Sequence, residues 1–266
     1  MRVLLLGATG NLGLRLIPAL LIHGHQVVAY VRSPQKLQTL APESVLVRVG
    51  IFHGDATDVE RLKTAIREHN CTAVVDTAGN QVWPWKEHQL RKIARAVSQA
   101  AIEIGEERGI PIRAHFLCGF GELNYPSLGN ASTVGSRSLL MRDSLPNIAF
   151  EQHRETRTLI SAISLSKLHW TLVCIAVMLP LRNRIELLSQ PETHNLLTGE
   201  GVPPAWPRLW VGRIPWIGSS LEIILNTIGY TTKLEHIADF IAEDLENGNQ
   251  HWVGKLVGFK EREKFQ

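Results

Sequence analysis

Val3-Leu4-Leu5-Leu6-Gly7-Ala8-Thr9-Gly10-Asn11-Leu12-Gly13 decides how the rest of the chain is read. Four apolar residues suit a short buried strand, and glycines spaced Gly-x-x-Gly-x-x-Gly break it into a turn. Leu12, Leu16 and Leu20, with Ile17 and Leu21, then recur at helical spacing, so the stretch predicts strand, turn and helix. Gly7 permits the tight turn, Gly10 lets the backbone approach a pyrophosphate, and Gly13 allows the helix to pack closely on the strand. The helix start offers unpaired N–H groups and a positive dipole end to phosphate, so Thr9, Asn11 and Leu12 complete the predicted cradle. The same start superficially resembles a secretory leader. Its breaks at Gly7, Gly10, Asn11, Gly13 and Arg15, and the lack of a small-residue cleavage site, fit strand–turn–helix instead. Pro18 inside the helix predicts a kink or a lost hydrogen bond.

The second apolar run ends in Val31-Arg32-Ser33-Pro34-Gln35-Lys36. About 20 residues past the glycine turn, a site for NAD places a carboxylate to hold the ribose hydroxyls. Here stand Arg32 and Ser33, with Lys36 one helical turn on. A guanidinium and a hydroxyl suit a 2′-phosphate that a carboxylate would repel. The predicted cofactor is therefore NADP(H), unless Arg32 and Lys36 are merely solvated charges. Gly54-Asp55-Ala56 follows the third run. Asp55 reads either as a partner for an adenine amino group, beside Ala56, or as part of a plain turn with a helix cap. Thr77-Ala78-Gly79 ends the fourth run and leaves room for a ribose and nicotinamide, or for a turn.

Six apolar, β-branched-rich runs alternate with helix-period segments. Strands are predicted at Val3–Leu6, Gln26–Val31, Val45–Phe52, Ala73–Thr77, Arg113–Cys118 and Trp170–Ala176, with a final one at Trp252–Val257. Thr57-Asp58-Val59-Glu60 reads as a capping box. Helices are predicted from Leu90 to a stop at Gly109, over Phe150–Ser166, and over Leu234–Leu245 closed by Gly248. The pattern predicts an α/β fold: a Rossmann-type doubly wound parallel sheet with a small C-terminal substrate-covering segment. Residues 1–180 would form the nucleotide-binding core, 181–232 a Trp/Pro-rich cover, and 233–266 a helix and strand completing the core.

Composition narrows the class. The 266 residues carry a net charge of +3, too mild for a nucleic-acid footprint, and no apolar run reaches a membrane span. Three cysteines in so long a chain are no disulfide framework and fit a reducing, cytoplasmic setting. His23 and His25 flank Gly24 with no third ligand nearby, so no metal is expected.

GATGNLG, YVRSPQKL, GDATD at 54–58, SKLHWT at 166–171 and HIADFIAEDL at 236–245 together resemble the short-chain dehydrogenase/reductase superfamily. Within it the chain resembles the atypical NmrA-like branch, and in layout fungal secondary-metabolism oxidoreductases of the averufin oxidase type. The resemblance implies a nicotinamide-dependent oxidoreductase. The superfamily's reductases usually use a Tyr-x-x-x-Lys pair with a Ser. None exists here: Phe150 to Arg154 keeps the spacing but loses the phenol, and the Ser position falls on Cys118 or Gly119.

Other side chains become candidates. His153 reads as an acid or base near neutral pH, or as one more polar residue on an exposed helix. Arg154 or Arg157 reads as a substitute for the Lys, or as a helix-face partner of Glu151 or Glu155. Tyr125 and Glu122, in the loop after the fifth strand, read as substrate contacts or as ordinary loop residues. Cys118 and Cys174 end adjacent strands, as two buried apolar-like thiols or as a redox pair. Trp206, Trp210 and Trp216, among four prolines, suit an aromatic flap over a substrate, a dimer surface or the cover's own packing. Trp83 and Trp85 suit the opposite wall.

The expected activity is NADP(H)-dependent redox chemistry on a small, aromatic or polyketide-type secondary metabolite, by a monomer or homodimer. A non-redox isomerase, cyclase, dehydratase or epoxide-opening enzyme on the same scaffold, and a redox-sensing regulatory binding protein, are the alternatives.

Overall fold

The alternation of apolar runs and helix-period segments becomes one mostly parallel sheet with helices on both faces. The computed structural model describes residues 1–79, 89–125, 147–191, 194–214, 218–246 and 249–262, with backbone alone at 147–150, 219, 220, 224 and 228. Strand β1 (Arg2–Leu6) pairs in parallel with β2 (Gln26–Val31) on one side and β4 (Ala73–Asp76) on the other. β3 (Val49–His53) extends the sheet beyond β2, while β5 (Ile112–Gly119) and β6 (Leu168–Ile175) extend it beyond β4. The order 3-2-1-4-5-6 reverses direction at β1, which is the doubly wound arrangement the sequence predicts.

The pleat of β1 explains why both faces are apolar. Leu4 and Leu6 join Val74, Ala114 and Phe116 in the core on one face. Helices α4 (Val59–Glu68), α5 (Leu90–Arg108) and α6 (Asn147–Ser161) cover it. Val3 and Leu5 point the other way, to Leu16, Ile17 and Leu20 of α1 (Asn11–Ile22) and to Ile237 and Ile241 of α8 (Leu234–Asp244). Strands buried on both faces read as continuous apolar runs rather than alternating ones. Two short helices, α2 (Pro34–Leu40) and α3 (Glu43–Leu46), follow β2, and α7 (Gly218–Ile228) lies in the C-terminal third.

Several elements differ from the sequence reading. The run Val45–Phe52 is split: 43–46 make one helical turn after Pro42, and the strand begins at Val49. Val45 enters the core from that turn while Val47 is 76% exposed, which a buried strand would not tolerate. The cap of α4 is Asp58, whose carboxylate accepts from Arg61 N–H at 3.0 Å; no Thr57–Glu60 box forms, because Thr57 donates its hydroxyl to Asp55. Pro18 leaves α1 continuous across it and stays buried. The final strand is β10 (Lys255–Glu261) rather than 252–257. It lies parallel to β6, and β8 (Leu196–Glu200) joins it antiparallel, so residues from the expected cover form an edge of the main sheet. β7 (Val177–Leu179) and β9 (Thr231–Lys233) form a separate parallel pair. Gly109, at φ +69°, ends α5 as expected, whereas Gly248 lies outside the described residues. Among the described residues no helix is long and apolar enough to cross a membrane.

Candidate active site

The strand-to-helix turn after β1 has the geometry its glycines require. Gly7 sits at φ +77°, and a β-carbon there would meet Thr77 at 2.5–2.6 Å. Gly10 N–H donates to the Gly7 carbonyl at 2.8 Å, closing the turn, and Gly10 caps α1 without a side chain. A β-carbon on Gly13 would fall on the Gly7 carbonyl and within 2.9 Å of Ala8 Cα, so only glycine lets the helix start this close to the turn. The first N–H groups of α1 have no intrahelical acceptor, which makes the turn an anion cradle.

This cradle is one wall of a cavity of about 340 Å³ at the C-terminal edge of the sheet. Gly7, Ala8, Thr9 and Gly10 line its floor. Tyr30, Val31, Arg32 and Lys36 line the β2 end, and Gly54, Asp55, Ala56 and Thr57 the β3 end. Thr77, Ala78 and Gly79, with Gln89 and Ile93, line the β4 end. Arg32 and Lys36 are exposed, so their charges are available at the rim. Ser33 does not line the cavity; its hydroxyl accepts from Lys36 N–H at 3.3 Å and caps α2. Asn11, Leu12 and Gly13 do not line it either: Asn11 is exposed, Leu12 is buried in the core, and Gly13 packs on the turn.

Asp55 braces the turn that its sequence position allowed. Its Oδ1 accepts from Thr57 N–H at 2.8 Å and Thr57 Oγ1 at 2.6 Å. Those bonds, with the nearby Arg32 charge, hold its carboxyl below the usual range despite some burial. The turn is braced from below by Tyr30, whose hydroxyl donates to the Asp55 carbonyl at 2.9 Å and whose ring stacks on Phe52. Gly54 is required there, since a β-carbon would collide with the Tyr30 ring. At the β4 end, Thr77 Oγ1 donates to the Leu6 carbonyl at 2.8 Å. Asp76, 3% exposed, accepts from Ala78 N–H at 3.0 Å, and burial pushes its carboxyl up to about 7. Sequence reasoning missed Tyr30, Asp76, Gln89 and Ile93. A carboxylate closing an otherwise apolar strand was the available signal for Asp76.

Of the four expected catalytic side chains, Cys118 lies against His153 at the end of β5, its thiol 3.6 Å from the His153 carbonyl. Tyr125 is buried, not in a solvated loop: its hydroxyl donates to the Phe120 carbonyl at 2.9 Å, and burial raises its pKa well above the usual value. Arg154 is exposed and lies 3.8 Å from Glu151, as a helix-face pair. Arg157 donates to the Glu122 carbonyl and faces the buried Glu122 carboxylate at 3.9 Å. Cys118 and Cys174 are register partners across β5 and β6, both free and buried. Burial, and after it the neighbouring Cys118, raise the Cys174 thiol far above its usual pKa, as befits an inert packing group. His153 is half-buried rather than on an exposed surface, and its ring rests on Gly119.

Beyond the end of β5 the rings of Phe120, Tyr125, Trp206 and Tyr230 form a cluster, with Trp206 centred 5.0 Å from Tyr125 and 5.4 Å from Tyr230. Trp210 is 76% exposed and takes no part in it. Trp83, Trp85 and Trp216 lie outside the described residues. His23 is engaged by the carboxylates of Asp239 and Glu246.

A doubly wound sheet with a glycine cradle at its switch point defines a dinucleotide-binding protein of the α/β class. The chain belongs to the NAD(P)H-binding family, whose model matches residues 7–193. No curated protein matches the sequence itself. Solved structures share the fold. A protein from Lactobacillus casei is 17% identical with a TM-score of 0.69, covering 99% of this chain and 100% of its own. The oxidoreductase ylbE from Lactococcus lactis is 14% identical at a TM-score of 0.63, covering 99% and 92%. A wide-type short-chain dehydrogenase/reductase from Veillonella parvula, in complex with NADP, is 16% identical at 0.59, covering 98% and 94%. At such identities the likeness is one of fold.

The residues fit the nucleotide. The cradle is one that β-carbons at positions 7 and 13 would fill, and the cavity continues from it toward two cations.

Proposed function

We propose that the chain is an NADP(H)-dependent oxidoreductase acting on a small, aromatic or polyketide-type secondary metabolite. The observation that carries the cofactor choice is the β2 end of the cavity, where Arg32 and Lys36 line the wall that a ribose-binding carboxylate would otherwise occupy. Bound there, the nicotinamide supplies or accepts a hydride. Arg32 and Lys36 hold the 2′-phosphate. The Gly7–Gly13 turn and the start of α1 hold the pyrophosphate, and Asp55 and Ala56 border the adenine. Thr77, Ala78 and Gly79 leave space for the ribose next to the nicotinamide.

The NmrA-like branch, with its averufin-oxidase-type layout, is supported by YVRSPQKL and HIADFIAEDL at the positions quoted above. The aromatic cluster around Trp206 supports a flat substrate, and residues 181–232, apart from the edge strand β8, serve as the cover. Three free, buried thiols support a reducing cytoplasm, and the protein works as a monomer or homodimer.

The engaged hydroxyls of Tyr30, Tyr125 and Tyr230 favour one rival, a non-redox isomerase, cyclase, dehydratase or epoxide-opening enzyme, because they leave no free phenol for carbonyl reduction among the described residues. Titration with NADPH and NADH, followed by NADPH absorbance with a panel of hydroxylated polyketide aromatics, tests the assignment. NADPH should bind at least tenfold more tightly, and its absorbance should change only with substrate. Turnover by nucleotide-free protein would overturn the redox assignment and leave the cofactor as scaffold.

A further inference from the structure

Among the buried polar atoms that the nucleotide assignment leaves without a task is a ring nitrogen of His153. His153 lies on α6, which packs over β5 and β6. Its ring sits on Gly119, the last residue of β5: a β-carbon there would come within 2.8 Å of Cδ2 and 3.0 Å of Cγ. The absence of a side chain at 119 is thus the space the imidazole occupies. The Cys118 thiol donates to the His153 carbonyl at 3.6 Å, fixing this turn of α6 on the strand end. Nδ1 of the ring is buried and has no hydrogen-bond partner among the described residues. A buried nitrogen left bare is costly, so its survival in a folded site calls for a partner that arrives later.

The strand order places the end of β5, on which this ring rests, beside the β4 end of the cavity. β4 and β5 pair as far as Asp76 opposite Phe116. Three residues beyond that pair stand Gly79, which lines the cavity, and Gly119, which carries the imidazole. Arg32 and Lys36 mark the β2 end of the cavity, so His153 stands beside the opposite end, past β4, where the reacting half of the dinucleotide belongs.

We propose that His153 is a specificity-determining residue, its imidazole Nδ1 accepting a hydrogen bond from a hydroxyl of the substrate. Burial agrees with this: it holds the His153 pKa down to about 4, so the ring is neutral at physiological pH, and in its Nε2–H tautomer Nδ1 is an acceptor. A neutral acceptor in a water-poor pocket selects phenols and alcohols and rejects analogues that lack the donor, because they leave Nδ1 bare. The proposal rests on the oxidoreductase reading for the position of the substrate, and it adds the group by which the substrate is recognised.

Two probes of equal shape, 2-naphthol and 2-methoxynaphthalene, test it on the NADP⁺-loaded protein with ¹⁵N-labelled histidine. The naphthol should move the His153 Nδ1 resonance and bind at least tenfold more tightly than the ether. In His153→Leu that preference should vanish. His153→Asn, which keeps an acceptor on a shorter arm, should retain part of it. Gly119→Ala, which pushes the ring off its seat, should weaken it without touching the histidine. A silent Nδ1 resonance, no naphthol binding, or an unchanged preference in His153→Leu overturns the proposal. Failure of wild-type protein to bind NADP⁺ strikes the oxidoreductase reading instead, and NADP⁺ affinity in each variant separates the two.

Discussion

His115 Nε2 and Asp244 Oδ2 meet at 2.7 Å inside the core between the sheet and α8, each about 1% exposed at the side chain. Arg113 donates to the same oxygen and reaches Thr171 Oγ1 at 2.8 Å. One carboxylate therefore ties the end of the C-terminal helix to β5, and through Arg113 to β6. Burial, and after it the Arg113 charge, keep His115 neutral, so the charge of the cluster resides on Arg113 and Asp244.

Removing that carboxylate leaves a buried guanidinium uncompensated. Asp244→Asn should cost about 3–5 kcal/mol of stability, read as the midpoint of urea unfolding. Replacing Arg113 with Met and Asp244 with Leu together should cost far less, since no charge is then stranded. An Asp244→Asn loss under about 1 kcal/mol would mean the ion pair adds nothing to holding α8.

Gly13 and Gly24 give a controlled comparison. A β-carbon on Gly13 falls on the Gly7 carbonyl, whereas one on Gly24, at φ +76°, meets nothing within 4 Å. Gly13→Ala must displace the cradle and should weaken NADPH binding by at least about tenfold. Gly24→Ala carries only backbone strain, about 1 kcal/mol, and should leave NADPH affinity unchanged. Isothermal titration of both variants checks the contrast; equal affinities would detach the glycine turn from the nucleotide.

The glycine turn was legible in the sequence because its constraint is local: residue types at fixed spacing dictate φ and close approach. The first six strands, apart from the start of the third, and the long helix to Gly109 were legible for the same reason of period and stop signal. What escaped depends on pairing between distant segments. Leu196–Glu200 alternates too weakly to announce a strand, and becomes one only because β10 offers an edge. Thr57 and Asp58 are both good caps, and the choice between them falls to Asp55, which claims the Thr57 hydroxyl. Tyr125 looked available because its position said nothing of the Phe120 carbonyl that takes its proton donor.

Arg32 and Lys36 stand at the cavity wall with Asp55 close enough to sense the Arg32 charge. Arg32→Glu replaces an attraction for the 2′-phosphate with a repulsion. Charge-assisted hydrogen bonds contribute about 1.5–3 kcal/mol, so NADPH affinity should fall roughly 10- to 100-fold. NADH affinity should hold or rise, because the new carboxylate suits ribose hydroxyls. Fluorescence titration with both nucleotides decides; unchanged NADPH affinity refutes the role given to Arg32.

His23 joins the end of α1 to α8 through both ring nitrogens, Nε2 to Asp239 at 2.9 Å and Nδ1 to Glu246 at 2.8 Å. The bond to Asp239 is the largest influence, and with Glu246 it outweighs burial and raises the His23 pKa to about 9 from 6.5. A histidine whose folded pKa is raised contributes its full stabilisation below the unfolded value and loses it as pH rises through the folded one. Unfolding free energy should therefore decline between about pH 6.5 and pH 9, by roughly 2–3 kcal/mol at most. Asp76 also binds its proton more tightly when folded, so its titration lowers stability as pH rises from 3.8 to about 7, a change nearly complete at the start of that window and constant through the rest of it. The difference between wild type and His23→Gln isolates the histidine: below pH 6 the variant should be the less stable, and above pH 9.5 the two should converge. Urea unfolding at half-unit steps of pH supplies the curve, and parallel curves across the window would show that the imidazole is not charged in the folded protein.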